Sequence, residues 1–223
     1  MEEFTDNLRS LREKVYQYLK KGLNEGQLRQ GAFLNLNAIS SELGMSRTPL
    51  RDALFQLEAE GYVTIFPRRG VMVNRLDLDA IRNIYELSGA LESTAVAHSG
   101  RKLTEADLDR MEKLNTEMKA AVETQDIDGY YDRNMAFNNA FLNLSPNADL
   151  VRAVQKMRER LYDFPRSKAF LKDWEMASIG EHETFLALLR KKDFNGAAEF
   201  LRDVHWSFEV QERYARIYYF GQD

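Results

Sequence analysis

Apolar residues recur at three- and four-residue intervals along most of the chain, the spacing that gathers them on one face of an α-helix. Leu8, Leu11, Val15, Tyr16 and Leu19 predict an amphipathic helix from Phe4 to about Gly22. Ala38 to Leu43 predicts a short helix stopped at Gly44, with Gly44-Met45 as a tight turn. Leu50, Ala53, Leu54 and Leu57 mark the inward stripe of a third helix, with Ser46 as its N-cap and Gly61 as its stop. Pro49 falls in the first turn of that helix, where backbone N–H groups lack an intrahelical partner, so the ring stiffens the start at little cost. Arg47 and Arg51 lie one turn apart, beside the stripe and free of it.

The pattern then changes. Tyr62-Val63-Thr64-Ile65-Phe66 is β-rich, Pro67-Arg68-Arg69-Gly70 is a basic turn, and Val71-Met72-Val73 predicts a second short strand. From Asp77 onward only helical periodicity is left, over 77–99, 104–124 with Thr104 as cap, 126–144, 147–164, 171–192 and 194–219. Ser88-Gly89 is the one place where the first of these invites a break. Gly100, Pro146 and Pro165 separate several of them.

Helix, short helix, turn, helix, hairpin is the order of a winged helix-turn-helix, and six helices on short loops imply an antiparallel bundle. The expected fold is therefore mainly α: an N-terminal winged helix-turn-helix over residues 1–76, then an all-α antiparallel helical bundle over 77–223.

Composition narrows the setting. The 223 residues are 44% hydrophobic and 30% charged, ordinary for a globular protein. With no cysteine there is no disulfide framework, thiolate metal site or cysteine nucleophile, which fits a reducing compartment. The N-terminal "MEEFTDNLRS" has no apolar core of signal-peptide length and no continuous apolar run is long enough to span a bilayer, so the expected location is cytoplasmic, with no membrane partner. The net charge of −4 is uneven: residues 1–76 carry 11 Lys+Arg against 9 Asp+Glu, and residues 77–223 carry 20 against 26. The excess of cations in front suits contact with a polyanion there.

The stretch "AISSELGMSRTPLRDALFQLEAEGYVTIFPRRGVMV", residues 38–73, resembles the DNA-binding head of GntR-type transcription regulators, with their Ser-Arg-Thr-Pro-x-Arg-x-Ala-Leu and Pro-Arg-Arg-Gly signatures. The helical remainder resembles the effector domain of the FadR subfamily (the FCD domain) in its VanR-like six-helix form, with landmarks at "ALESTA", "EHETFLALLRKKDFNGAA" and the terminal helix. The resemblance implies a homodimeric regulator, expected to be a repressor. It would bind a short pseudo-palindromic operator in double-stranded DNA and be released or re-oriented by a small metabolite, an organic acid or acyl compound.

Carried onto this chain, the DNA contacts implied are Ser46, Arg47, Thr48 and Arg51 from the recognition helix and Arg68, Arg69 and Gly70 from the wing; Asn37 stands where some relatives have a DNA-contacting arginine. The residue types agree, since arginine grips guanine bidentately or holds phosphate, and hydroxyls at a helix start favour phosphate.

Many members of the subfamily hold a divalent metal through an aspartate and three histidines. Here the aspartate and first histidine positions carry Asn134 and Asn138, the second carries His182, and the third falls on Val204, with His205 displaced by one residue unless a helix irregularity restores it. Ser88 stands where an arginine often precedes the "LE" pair. Zinc or nickel suits the imidazoles of His182 and His205, but neutral amides weaken the site, so the expectation is a lost or weakened metal and a hydrogen-bonding pocket for a neutral effector or an acid held differently.

The periodicity supports a pocket independently. Ile127, Tyr131, Asn134, Asn138 and Phe141 share one stripe, His182 lies among Ile179, Phe185 and Leu186, and His205 between Leu201 and Phe208. The expected effector set is therefore Ser88, Tyr131, Asn134, Asn138, His182 and His205. Trp174 and Trp206 read as core or dimer-interface aromatics and His98 as a surface residue. The competing reading is a constitutive DNA-binding dimer whose helical domain serves only dimerisation or protein interaction. An enzyme is not expected: there is no phosphate loop, no Gly-x-Ser-x-Gly and no His-Glu-x-x-His.

Overall fold

A computed structural model describes residues 2–163 and 171–221, so the expected boundary at Pro165 lies outside the described residues. The chain divides into two compact units, Met1–Asp77 with Glu159–Arg166, and Leu78–Arg158 with Ser167–Asp223.

In the first unit, α1 (Glu2–Asn24), α2 (Leu36–Glu42) and α3 (Arg47–Ala59) precede a hairpin of β1 (Val63–Phe66) and β2 (Gly70–Val73). Val15 and Leu19 of α1 and Leu50, Ala53, Leu54 and Leu57 of α3 are at most 2% exposed, so the stripes read from the sequence form the core where α1 packs on α3. Burying each leucine stabilises by roughly 1.5–3 kcal/mol. The antiparallel register pairs Val63 with Val73 and Ile65 with Val71, which buries Val63, Val71 and Val73 together. Arg68 and Gly70 take positive φ at the turn, 64° and 113°.

Ser46 occupies the N-cap of α3 in extended conformation, but its side chain makes no capping hydrogen bond, contrary to the expectation of a good cap. Pro49 is buried in the first turn as well as stiffening it.

The second unit is helical: α4 (Leu78–Ser99), α5 (Glu105–Thr124), α6 (Ile127–Leu142), α7 (Ala148–Asp163, of which the residues up to Arg158 belong to this unit), α8 (Lys172–Arg190), α9 (Phe194–Phe200) and α10 (Phe208–Phe220). Thr104 and Asp107 close a reciprocal capping box at the start of α5. Met111, Met118, Phe137, Phe141, Val154 and Phe185 lie at the centre of the core, at most 1% exposed. Ile127, placed on the interior stripe by its spacing, is 37% exposed at the first turn of α6.

One expectation is corrected. The helix predicted over 194–219 is interrupted: Leu201–His205 is a π-helical turn closed by Trp206 N–H donating to Leu201 O at 2.9 Å, and α10 restarts after it. The helix expected over 77–99 forms as α4 and runs unbroken through Ser88-Gly89. Gly89 is needed there for close approach: a Cβ would stand 3.0 Å from Trp206 Cβ and 3.4 Å from Arg202 Cα, so the glycine admits the π-turn against α4.

Candidate functional site

On the first unit, Asn37, Ser46, Arg47, Thr48, Arg51, Arg68 and Arg69 are all exposed and Gly70 is half-buried. The amphipathic pitch of α3 produces this: with Leu50, Leu54 and Leu57 turned inward, the one-turn step from Arg47 to Arg51 stays outside. Asn37, in the first turn of α2, accepts a 2.7 Å hydrogen bond from Arg47 Nη2. Arg51 lies over the Phe55 ring and Arg69 over the Phe66 ring, each 5.7 Å from the centroid. An open groove of about 700 Å³ runs between α3 and the hairpin, with Arg47, Thr48, Arg51, Arg68 and Gly70 among its lining. It presents cations from two elements to one ligand, the arrangement that places a helix against base edges and a hairpin against backbone.

The interior of the second unit holds a polar cluster in an apolar frame. Asn138 Nδ2 donates to Asn134 Oδ1 at 2.9 Å and to Asn134 O at 3.0 Å, so the two amides serve each other. His182, 2% exposed, stacks on Phe137 with ring centroids 4.1 Å apart. Its Nδ1 lies 3.1 Å from Asn115 Oδ1, while Asn115 Nδ2 donates to Ile179 O. That amide orientation leaves Oδ1 able only to accept, so Nδ1 carries the hydrogen and Nε2 the lone pair. Nε2 is buried and makes no hydrogen bond among the described residues.

The π-turn adds one residue of register and brings the His205 ring to 5.4 Å from that of His182. The displacement counted along the sequence is thereby undone. His205 Nδ1 pairs with Glu181 Oε2 at 2.7 Å, Gln211 Nε2 donates to Glu181 Oε1 at 2.9 Å, and Trp174 Nε1 donates to Gln211 Oε1 at 2.7 Å. Tyr131, half-buried, bonds Tyr218 Oη and Glu175 Oε1. Ser88 is fully buried on α4. Trp206 is buried against Tyr85, Trp174 stacks on Tyr214, and His98 is exposed.

Against known families, the pattern described as bacterial regulatory proteins, gntR family, matches residues 11–73, and that of the FCD domain matches residues 83–205. The chain belongs to the GntR family. Its pairing of domains is that of the FadR subfamily, so the protein is a DNA-binding transcriptional regulator and not an enzyme.

The regulator is 27% identical over 213 residues to the HTH-type transcriptional regulator McbR of Escherichia coli K12, covering 94% of this chain and 93% of that one. It is 27% identical over 169 residues to the Nta operon transcriptional regulator of Aminobacter aminovorans, covering 74% and 78%. The solved structure of E. coli McbR/YncC superposes with a TM-score of 0.67 at 26% identity, covering 93% of this chain and 96% of that one.

The subfamily's metal does not fit the residues present. The aspartate position offers an amide already bonded to its neighbour, His205 is engaged by Glu181, and among the described residues no group of three or more His, Asp or Glu side chains is arranged around one point. Nor does any helix among the described residues have the length and apolarity to cross a membrane.

Sequence reasoning missed three interior groups of the regulator. Glu92 and Arg158 are both fully buried and paired, Nε to Oε1 at 2.8 Å and Nη2 to Oε1 at 2.5 Å, and Asn115 orients His182. Each was flagged by a polar residue on an apolar stripe: Glu92 in line with Ala95 and Val96, Arg158 with Val154 and Leu161, Asn115 with Met111 and Met118.

Proposed function

We propose that this regulator is a ligand-responsive repressor. It binds a short pseudo-palindromic operator as a homodimer through residues 1–76 and is released or re-oriented by a small metabolite held within residues 77–223. Arg47, Thr48 and Arg51 of α3, with Ser46 at its start, enter the major groove, and Arg68, Arg69 and Gly70 of the hairpin meet the backbone beside it. Asn37 acts by positioning Arg47.

The observation that carries the ligand-responsive part is the buried Nε2 of His182, without a hydrogen-bonding partner among the described residues. Buried polar atoms are almost always satisfied, and those that are not mark places where a ligand or water completes the set. An effector there shifts the heads only if it binds one arrangement more tightly than the other.

The test begins by selecting bound sequences from a random double-stranded DNA pool, then measuring binding to the selected site by fluorescence anisotropy while small metabolites are added. A two-fold symmetric site, one dimer per site by analytical ultracentrifugation, and release by at least one compound are expected. A monomer on an asymmetric site would overturn the dimer reading. Binding indifferent to every metabolite would overturn the effector reading.

A further inference from the structure

Phe55 on α3, the helix that carries Arg47 and Arg51, is 50% exposed. At about 100° per residue it points roughly 150° away from the mean direction of the buried Leu50, Ala53, Leu54 and Leu57. It stands in the middle of the outward face, with Arg47 and Arg51 to one side and Thr48 and Asp52 to the other, all exposed. Core packing therefore does not account for an apolar ring at this position, and a large apolar group exposed among binding residues marks a contact.

The surroundings select the partner. Phe55 lines the groove between α3 and the hairpin together with Arg47, Thr48, Arg51 and Arg68. The charged residues of that lining are three arginines, with no carboxylate among the described residues, so the groove draws a polyanion and not a protein surface of mixed charge. The Arg51 guanidinium lies 5.7 Å from the centre of the Phe55 ring, which ties the ring to an arginine of the proposed DNA contact. Arg47, Arg51 and Phe55 follow one another at one-turn steps, and a helix lying in the major groove reads base edges over about two turns. Along those edges nearly every group is a hydrogen-bond donor or acceptor, which a phenyl ring cannot engage. The exception is the C5 methyl of thymine.

We infer that Phe55 is a specificity-determining residue of the DNA interface and packs its ring on one thymine methyl group in each half-site. One turn of helix, about 6 Å, separates it from Arg51, so the thymine lies about two base pairs of ~3.4 Å from the base that Arg51 meets. The inference rests on the reading that α3 enters the major groove.

The experiment replaces each thymine of the selected operator in turn by deoxyuridine, which removes the methyl group and nothing else. The affinity of the full-length native protein, Phe55→Ala and Phe55→Leu is then measured by fluorescence anisotropy, and circular dichroism confirms that both variants fold, as expected for an exposed side chain. At one thymine per half-site the native protein is expected to bind about fourfold more weakly without the methyl, the effect of burying one such group. Phe55→Ala should bind the unmodified operator more weakly than the native protein and show no methyl dependence at that thymine, while Phe55→Leu, still apolar, retains part of it. Weaker binding by Arg47→Ala or Arg51→Ala with no methyl effect at any thymine, or with the same effect in the native protein and Phe55→Ala, would overturn this inference and leave the reading of α3 standing. Unchanged binding by both arginine variants would overturn both. A Phe55→Ala protein that binds the operator unchanged yet dissociates to monomers in analytical ultracentrifugation would assign the ring to a protein contact and overturn the inference as well.

Discussion

Arg47 Nη2 and Asn37 Oδ1 lie 2.7 Å apart across the turn between α2 and α3. The amide holds one edge of an exposed guanidinium and leaves the rest for DNA. Arg47→Ala is expected to weaken operator binding by about 1–3 kcal/mol if the arginine reads a base, and to relax sequence preference at that position. Asn37→Ala, which only frees the side chain, should cost less and should lose its effect in the Arg47→Ala background. Anisotropy titrations of both single variants and the double variant check this. Additive losses would show that Asn37 contacts DNA on its own.

Arg68 and Arg69 at the hairpin turn are exposed, and Arg69 lies over the face of Phe66. Replacing either with alanine should weaken binding about equally on operator and random DNA and lower the slope of log affinity against log salt by about 1. A change in sequence preference instead would reassign the wing to base contact.

His182 imposes a pH dependence on folding. Its folded-state value is lowered well below 6.5, chiefly by burial, so above pH 6.5 the ring is neutral both folded and unfolded and costs nothing. Below that, the unfolded chain takes up a proton that the folded one refuses, and stability falls with pH by up to about 1.4 kcal/mol per unit. Urea midpoints from pH 7.5 to pH 5 should drop more steeply for the native protein than for His182→Gln. Parallel slopes would show that the ring protonates in place.

The Glu92–Arg158 pair is fully buried, so removing one partner strands the other. Arg158→Met is expected to destabilise by about 3–5 kcal/mol in chemical denaturation. Replacing both, Glu92→Leu with Arg158→Met, should recover most of that. A double variant as unstable as the single would locate the cost in packing and not in the stranded charge.

Elemental analysis of the untagged protein, after incubation with zinc or nickel and dialysis, should show well under one metal per chain, unchanged by His182→Ala. The amides at Asn134 and Asn138 bond each other, and two imidazoles alone make a weak site. Near-stoichiometric metal lost in the variant would mean that the amide pair rearranges to admit an ion.

The head was legible in the sequence almost to the residue. Its helices are amphipathic, its turns need glycine or proline, and its cations can only lie outside the stripe of Leu50, Leu54 and Leu57, so local periodicity settles the geometry. The same holds for most helix boundaries of the bundle, where caps such as Thr104 act over a single turn. The interior of the bundle is different. Whether His205 meets His182 depends on one extra residue in the π-turn at Leu201–His205, and that turn is seated by Gly89 on a helix more than a hundred residues earlier. Likewise Glu92 finds Arg158, and Asn115 sets the tautomer of His182, across separations of more than sixty residues. A hydrophobic stripe tells which side of a helix is buried, because that follows from the 3.6-residue period within one segment. Which polar groups meet on that side follows from how separate segments pack, and only the tertiary structure decides it.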